Sequence, residues 1–497
     1  MFRLRHTLLV ALVAIVALCG VLASGASAAT GDSTFGMNPG DVFRLPQSQW
    51  DAHLSAMSAD GIQTVRMGAW WSDLEPSSPV NGVHNYSFSE VDQRVLALAQ
   101  HGLRWAPLLS FSPTWDSKIS GDYSGAPASN QDFAGFAAAL AKRYGRGGSF
   151  WSEHPEVAPL PVTSYEIWNE ENSTVYWHPG DAGSYADLYA AGRTAIHGVD
   201  NSAQVVVGGL AATANGATPA ADFLRQMLAA RPDLRGNIDA VGFHPYAPDV
   251  PGVYAAISAF RHSLDSIAGA GVPLEITEIG WSTTNTSEAQ RAANLSTLAT
   301  TLPRSDCGID SVAPYAWLGP EQSSSDSEQW FGIENANATA KPSATAYADA
   351  VRLMRGLTST PAPTSTVPVC ASPARAAAAA TSAPAASTAA TTTKTKKRTA
   401  APKLSLRLRQ DRKHPSHLRV VARCPAGCRL QVQLITPIKA SSAAYKLNVT
   451  KSTYSTRSRT VTLKIARHAR GTRVRVRVTA ITRSGRITHK TKTLRLR

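Results

Sequence analysis

The chain has 497 residues, 43% hydrophobic and 17% charged, which is long enough for more than one domain and apolar enough for a sizeable core. Its formal net charge of +15 invites a nucleic-acid reading, but residues 371–497 hold 30 Lys+Arg against one acid, Asp411. Residues 1–370 hold the other 20 Lys+Arg against 34 acids, so the two stretches carry +29 and −14 and the average describes neither.

Tryptophan is equally lopsided, with all eleven between Trp50 and Trp330. Two unlike objects therefore share the chain. At the N-terminus, Arg3, Arg5 and His6 precede an apolar run from Leu8 to about Leu22, and Ala26-Ser27-Ala28-Ala29 follows. That is the pattern of a secretory signal over 1–29. The run is shorter than the roughly 20 residues a membrane-spanning helix needs, and no later segment is apolar enough to span. The expectation is a secreted, extracellular protein, associated with the cell wall through its basic tail. Export argues against nucleic acid as a partner and against a transmembrane segment in the mature chain.

From residue 30 to 356 strand-like and helix-like stretches alternate. Short β-branched or apolar runs occur at 34–37, 62–68, 104–110, 164–169, 204–208, 238–244, 273–279 and 311–317. Between them, helical spacing is clearest at 89–101, 131–144, 185–197, 253–268, 288–302 and 344–357. Eight β-α units in this length predict a (β/α)8 barrel. A doubly wound sheet is the rival, but no Gly-rich phosphate turn follows the first strand.

Residues 357–402 are rich in Pro, Ala, Thr and Ser and read as an extended linker. Residues 403–497 switch to a period of two, clearest in Thr472-Arg473-Val474-Arg475-Val476-Arg477-Val478. About seven short strands there predict a basic immunoglobulin-like β-sandwich. Cys19 leaves with the signal, so Cys307, Cys370, Cys424 and Cys428 allow three disulfide connectivities. One of these closes Cys424 on Cys428 and ties Cys307 to Cys370. Zinc at the close pair lacks a second pair of ligands at suitable spacing.

In such a barrel the reactive groups stand at the C-terminal ends of the strands. The fourth strand ends Tyr165-Glu166-Ile167-Trp168-Asn169-Glu170-Glu171-Asn172, and the seventh ends Leu274-Glu275-Ile276-Thr277-Glu278-Ile279-Gly280-Trp281. Each brings a carboxylate to the barrel mouth on a largely apolar strand, a costly placement without a purpose. One such glutamate alone reads as well as a solvated loop residue or half of a salt bridge. Two facing one another are the machinery of glycoside hydrolysis, one protonated and donating to the leaving oxygen while the other attacks the anomeric carbon.

Trp168-Asn169-Glu170 and Thr277-Glu278-Ile279-Gly280-Trp281 resemble the acid/base and nucleophile signatures of the large clan of retaining glycoside hydrolases built on this barrel. Within it the chain is most similar to families thirty-nine and five, the β-xylosidase-like and cellulase-like groups, over residues 34–355. The resemblance implies that Arg66, ending the second strand, lies beside the nucleophile. It implies that His244 and Tyr246, in Phe243-His244-Pro245-Tyr246, form the imidazole and aromatic pair of the sixth. It also implies that Trp317 floors the sugar site at the eighth. Lys341-Pro342-Ser343-Ala344 resembles the motif opening the clan's last helix.

On these roles Glu278 stays ionised beside Arg66 and the Tyr246 hydroxyl, and Asn169 is suited to hydrogen-bond the sugar 2-OH. His244 orients neighbours rather than transferring protons. The clan most often follows its acid with proline. Here Glu171 stands in that place, a second carboxylate that either resets the pKa of the neighbouring acid by its charge or, the reading we favour, points into solvent. Trp70, Trp71, Trp105, Trp115, Trp177, Trp281 and Trp330 fall near strand ends, where aromatic faces can stack on pyranose rings, with Trp281 and Trp317 expected to line the site and Trp70 and Trp105 to pack in the core.

The expected activity is therefore retaining cleavage of β-glycosidic bonds in a poly- or oligosaccharide. It calls for no metal and no organic cofactor. The Arg473/Arg475/Arg477 face is expected to hold an anionic cell-wall or extracellular polymer. The alternative is a catalytically silent saccharide-binding or adhesion protein on the same barrel.

Overall fold

The computed structural model describes residues 34–119, 122, 124–178, 181–212, 217–323, 326–370, 404–410, 417–425, 428–435, 448–464, 473–482 and 487–495. They form two compact units, each with its own buried apolar cluster. The expected signal at 1–29 and residues 371–402 of the expected linker lie outside the described residues.

The first unit is a closed barrel of eight parallel strands in sequential order. They are β1 (Thr34–Met37), β2 (Thr64–Trp70), β3 (Arg104–Ser110), β4 (Ser164–Asn169), β5 (Gln204–Ala211), β6 (Ala240–His244), β7 (Leu274–Ile279) and β8 (Ile309–Pro314). Around them run α1 (Trp50–Ala59), α2 (Trp71–Leu74), α3 (Ser89–Gln100), α4 (Asn130–Tyr144), α5 (Ser149–Glu153), α6 (Ala182–His197), α7 (Ala220–Ala230), α8 (Val250–Ala268), α9 (Glu288–Thr301) and α10 (Pro342–Met354). Four helix starts are fixed by side-chain oxygens that take an otherwise orphaned backbone N–H. Ser129 accepts from Asp132, Asp181 from Ser184, Asp249 from Gly252 and Ser287 from Gln290.

The apolar core lies between strands and helices, where Val65, Ile167, Val205, Ile276 and Val312 meet Leu54, Leu140, Tyr189, Leu264 and Leu298. The barrel interior is unusual. Bulky branched residues commonly fill it, but here Thr34, Gly36, Thr64, Ala106, Ser164, Gln204, Ser311 and Ala313 line a polar cavity of about 460 Å3 in its lower half. Arg66, Glu166 and Thr277 also line this cavity.

The second unit has seven antiparallel strands: β9 (Ser405–Gln410), β10 (His417–Arg423), β11 (Cys428–Ile435), β12 (Asn448–Ser455), β13 (Arg459–Lys464), β14 (Arg473–Thr482) and β15 (Ile487–Arg495). They make a three-stranded sheet in the order β13-β10-β9 and a four-stranded sheet in the order β12-β11-β14-β15. Leu406, Leu408, Leu418, Val420 and Val461 of the first pack with Leu430, Val432, Val476, Val478 and Ala480 of the second, so the unit is a sandwich.

Cys424 pairs with Cys428 and Cys307 with Cys370. The second bridge changes the start of the expected linker. Arg304 Nη1 donates to Ser365 O at 2.8 Å, Val367 N to Arg304 O at 2.9 Å and Cys370 N to Asp306 Oδ1 at 2.7 Å. Residues 365–370 are thus strapped to the barrel instead of leaving it at 357. The periodicity of 357–370 carries no trace of this, because the strap is held by backbone groups and one sulfur.

Candidate active site

Arg66 is the third residue of β2, and the strand runs four residues past it, to Trp70, two beyond the expected end at 68. The guanidinium therefore sits inside the barrel rather than at its rim, and it is buried. An unpaired buried cation would be costly, and all five of its N–H groups find acceptors. Nε and Nη2 grip Glu166 at 2.5 and 3.1 Å, Nη1 donates to Asn38 at 3.0 Å and to Glu278 at 2.7 Å, and Nη2 donates to Asn169 at 2.9 Å. Because arginine can only donate, Asn169 must turn its carbonyl oxygen to Arg66 and its NH2 away from it.

The ends of β4, β6 and β7 bring Glu170, His244 and Glu278 together. One oxygen of each glutamate and one nitrogen of His244 lie within 4.8 Å of one another. His244 is fully buried, with Nδ1 3.1 Å from Glu170 Oε1 and 3.7 Å from Glu278 Oε2, while Nε2 meets Thr277 Oγ1 at 3.0 Å. Tyr246 donates its hydroxyl to Glu278 Oε2 at 3.0 Å.

Burial alone would push the Glu278 carboxyl up. The electrostatic influence of neighbouring His244 and Arg66, with the Arg66 and Tyr246 hydrogen bonds, outweighs it and holds the group below the usual glutamate range. Burial and the Glu278 charge raise Tyr246 well above an ordinary phenol, so it stays a donor. The sequence-expected residues Arg66, Asn169, Glu170, His244, Tyr246 and Glu278 thus converge on one cluster.

The two expected tryptophans do not join it. β8 ends at Pro314, three residues before Trp317. Trp317 is 1% exposed and turns its indole N–H onto His53 of α1 at 3.2 Å, which leaves no ring face for a sugar. Tyr315, two residues before Trp317, lies within the influence of Glu278. Burial and the neighbouring Glu278 raise its hydroxyl, and its ring meets Phe331 at 5.6 Å, which in turn meets Tyr246 at 5.9 Å.

Trp281 is 6% exposed, and its N–H goes to the carbonyls of Ala247 at 2.9 Å and Pro248 at 3.1 Å, so it braces the loop that carries Tyr246. Trp71, Trp105 and Trp177 are buried in the core, while Trp70, Trp115 and Trp330 keep part of their surface open. The helix-opening Lys341 caps α10, with its ammonium bonded to Glu321 and to Gly332 O.

Several participants escaped the sequence reading. Asn38, just past β1, accepts from Arg66 and donates to Thr277 O at 2.9 Å. Glu166 is the signal that was available, because an acid at an inward strand position needs a buried cation. Glu328, in the loop after β8, is exposed, and the charge of Glu278 bears on its carboxyl. Glu171 does not point into solvent. It is turned inward and buried, beside Gly208 of β5.

Glu170, His244 and Glu278 offer three ligand atoms at chelating distance. Glu278 has one oxygen on Arg66 and the other on Tyr246, so a cation entering there would displace hydrogen bonds and meet a guanidinium. The donor set is committed to hydrogen bonding.

No family model matches the sequence, and no curated protein matches it. Solved structures do match in shape. A family 39 β-xylosidase from Caulobacter crescentus is similar with a TM-score of 0.51 and 17% identity, over 83% of this chain and 84% of its own. The family 39 enzyme of Xanthomonas axonopodis pv. citri gives 0.52 and 15% over 94% and 92%. A family 39 glycoside hydrolase of the gut symbiont Bacteroides cellulosilyticus WH2 gives 0.50 and 13% over 84% and 79%. At such identities the likeness is one of architecture, and the chain has the closed (β/α)8 fold on which family 39 glycoside hydrolases are built.

Proposed function

We propose that the chain is an exported retaining glycoside hydrolase, with Glu278 as nucleophile and Glu170 as acid/base. The observation that carries this is the spacing of the two carboxylates, whose nearest oxygens lie within 4.8 Å. Retaining enzymes hold the pair roughly 5–5.5 Å apart, whereas inverting enzymes need about 6.5–9.5 Å to admit water between them. The substrate class is a poly- or oligosaccharide with β-glycosidic bonds, as the β-xylosidase fold likeness suggests.

In the first step the ionised Glu278 attacks the anomeric carbon, while Glu170 gives its proton to the departing glycosidic oxygen. Arg66 and Tyr246 keep the nucleophile ionised and aimed. The NH2 of Asn169, turned away from Arg66, is available to the sugar 2-OH, a contact that strengthens in the transition state. In the second step Glu170, now a carboxylate, takes a proton from water. That water attacks the anomeric carbon and frees Glu278, so the product keeps its configuration. His244, hydrogen-bonded to Glu170, fixes the orientation of the acid.

The test is proton NMR of fresh product from aryl β-glycosides, with xylan, β-glucans, mannan and arabinan as a polymer panel. The β-anomer should appear first, Glu278→Gln should abolish turnover, and Glu170→Gln should slow substrates with poor leaving groups most. Initial release of the α-anomer, or full activity in Glu278→Gln, would overturn the mechanism. An inert wild type that still bound glycan would make the chain a saccharide-binding protein.

A further inference from the structure

The sequence has a second glutamate after Glu170, and the fold turns it into the protein. Glu171 is 1% exposed, and neither of its oxygens has a hydrogen-bond partner of ordinary geometry. Its place exists because position 208 is glycine. A Cβ there would lie 2.5 Å from Glu171 Oε2, 2.5 Å from Trp168 O and 2.7 Å from Ile167 O. The carboxyl therefore shares its pocket with two carbonyl oxygens.

The Tyr185 hydroxyl, from α6, is also close, but it donates its proton to Ile167 O at 2.7 Å and accepts the Gly208 N–H at 2.9 Å. Each of these neighbours can accept a hydrogen bond from a protonated carboxyl. Apart from the residue's own N–H and the Tyr185 hydroxyl, whose proton is directed to Ile167 O, none has a proton to offer an ionised one. The ionisable groups facing it are Glu166 and Glu170 from β4 and its end, and Tyr185 from α6; β5 contributes only Gly208. Burial first, then the charges of Glu166 and Glu170, push the Glu171 carboxyl up to about 8.

The backbone around it is held in an uncommon state. Trp168 has φ 69° and Glu170 φ 48°, both left-handed and neither a glycine. Such residues persist only where their surroundings over-determine them. We propose that Glu171 is a neutral buried acid that donates to the carbonyls closing β4, and is thereby the positioning residue that holds Glu170 in its left-handed, His244-facing conformation. The inference rests on the reading of Glu170 as acid/base. It concerns a position at which this chain departs from the clan's usual proline.

The test compares wild type, Glu171→Gln and Glu171→Ala by thermal melts from pH 5 to 8 and by kcat and KM at pH 6. A carboxyl that keeps its proton when folded to about pH 8, but loses it near pH 4.5 when unfolded, binds more protons in the native state across that window. Its contribution to stability therefore falls as pH rises. Glu171→Gln, neutral at every pH, should melt with a flatter pH dependence and keep kcat within about threefold. Glu171→Ala should lose kcat about tenfold or more with KM within about twofold, because a displaced acid slows chemistry more than binding.

An unchanged slope of melting temperature against pH in Glu171→Gln would show that Glu171 is ionised when folded and would overturn the proposal. So would a Glu171→Ala enzyme with wild-type kcat, or a Glu171→Gln enzyme with the alanine variant's defect. If the alanine variant does not fold, the glutamine melts and kcat still decide. Should Glu170→Gln prove fully active, the acid/base reading falls, while the melts still report the protonation of Glu171.

Discussion

Arg66 spends every N–H it has inside the protein, on Glu166, Glu278, Asn38 and Asn169. It therefore has no donor left for substrate, and its task is to set the state of its neighbours. Glu166 matters because its charge partly neutralises the field that Arg66 projects on Glu278. In Glu166→Gln that neutralisation is gone, so Glu278 should ionise more easily and the acid limb of kcat/KM should move to lower pH. At the same time the guanidinium loses its bidentate partner, and a broken buried pair costs about 3–5 kcal/mol. We expect a lower melting temperature, a kcat/KM about 10–100-fold down at the optimum, and an acid limb shifted below that of wild type. A limb shifted upward would show that Glu166 does not act on Glu278 through Arg66.

At the scale of elements, β5 does much of the positioning through what it lacks. A Cβ at Gly209 would stand 1.9 Å from His244 Nε2, so the missing side chain is what lets the imidazole lie against the strand between Thr277 and Glu170. Gly209→Ala should keep the barrel folded, because the strand's hydrogen bonds need no change, yet push His244 off both partners. A displacement near 1 Å at a reacting centre can cost about 100-fold in rate. We expect a loss of that order in kcat, with circular dichroism unchanged and a melting temperature within a few degrees of wild type. Near wild-type kcat would mean that the imidazole is not a positioning group.

The same strand shows where sequence patterns stop. The β-branched run is legible over 204–208 and ends there, because glycine reads as a strand terminus, yet β5 continues to Ala211. Strands β1, β3 and β4 are legible to the residue, since each is largely apolar and bounded by polar residues, with Glu166 the one acid inside β4. Helices α4, α6, α8 and α10 begin before their apolar periodicity does, at caps such as Asp181 and Asp249. The two glutamates could be found because charge on a buried strand demands a reason, whereas Arg66 was found through the clan resemblance. Trp317 was placed by its resemblance to the clan's strand-eight tryptophan, and such a match does not say which way a ring turns after the strand stops. Glu171 was missed for a related reason, as its pocket is made by a glycine on another strand.

At the scale of the whole molecule, the charge imbalance now falls on two separately folded units, a barrel within the acidic stretch and a sandwich within the basic one. On the three-stranded sheet Arg407, Arg409, Arg419 and Arg423 are exposed, while the alternating Leu406, Leu408, Leu418, Val420 and Ala422 fill the core. The register sets Arg409 directly opposite Arg419. Like charges opposed across a strand pair destabilise a sheet, and an anion lying over both relieves that cost. The backbone of β14 carries Arg473, Arg475 and Arg477, whose side chains lie outside the described residues. On the proposed reading as an exported hydrolase, this domain would serve to hold the chain near an anionic wall polymer. Because each unit has its own core, ending the chain after Cys370 should keep the disulfide strap and leave turnover of a soluble aryl glycoside within about twofold. Retention on isolated cell walls or on an anionic polysaccharide resin should be lost by that truncation. In the full chain it should weaken steeply between about 0.05 and 0.5 M salt, as the Debye length falls to a few ångströms. Retention that ignored salt, or that survived the truncation, would mean that the wall is gripped by the sugar-binding cleft and not by the arginines.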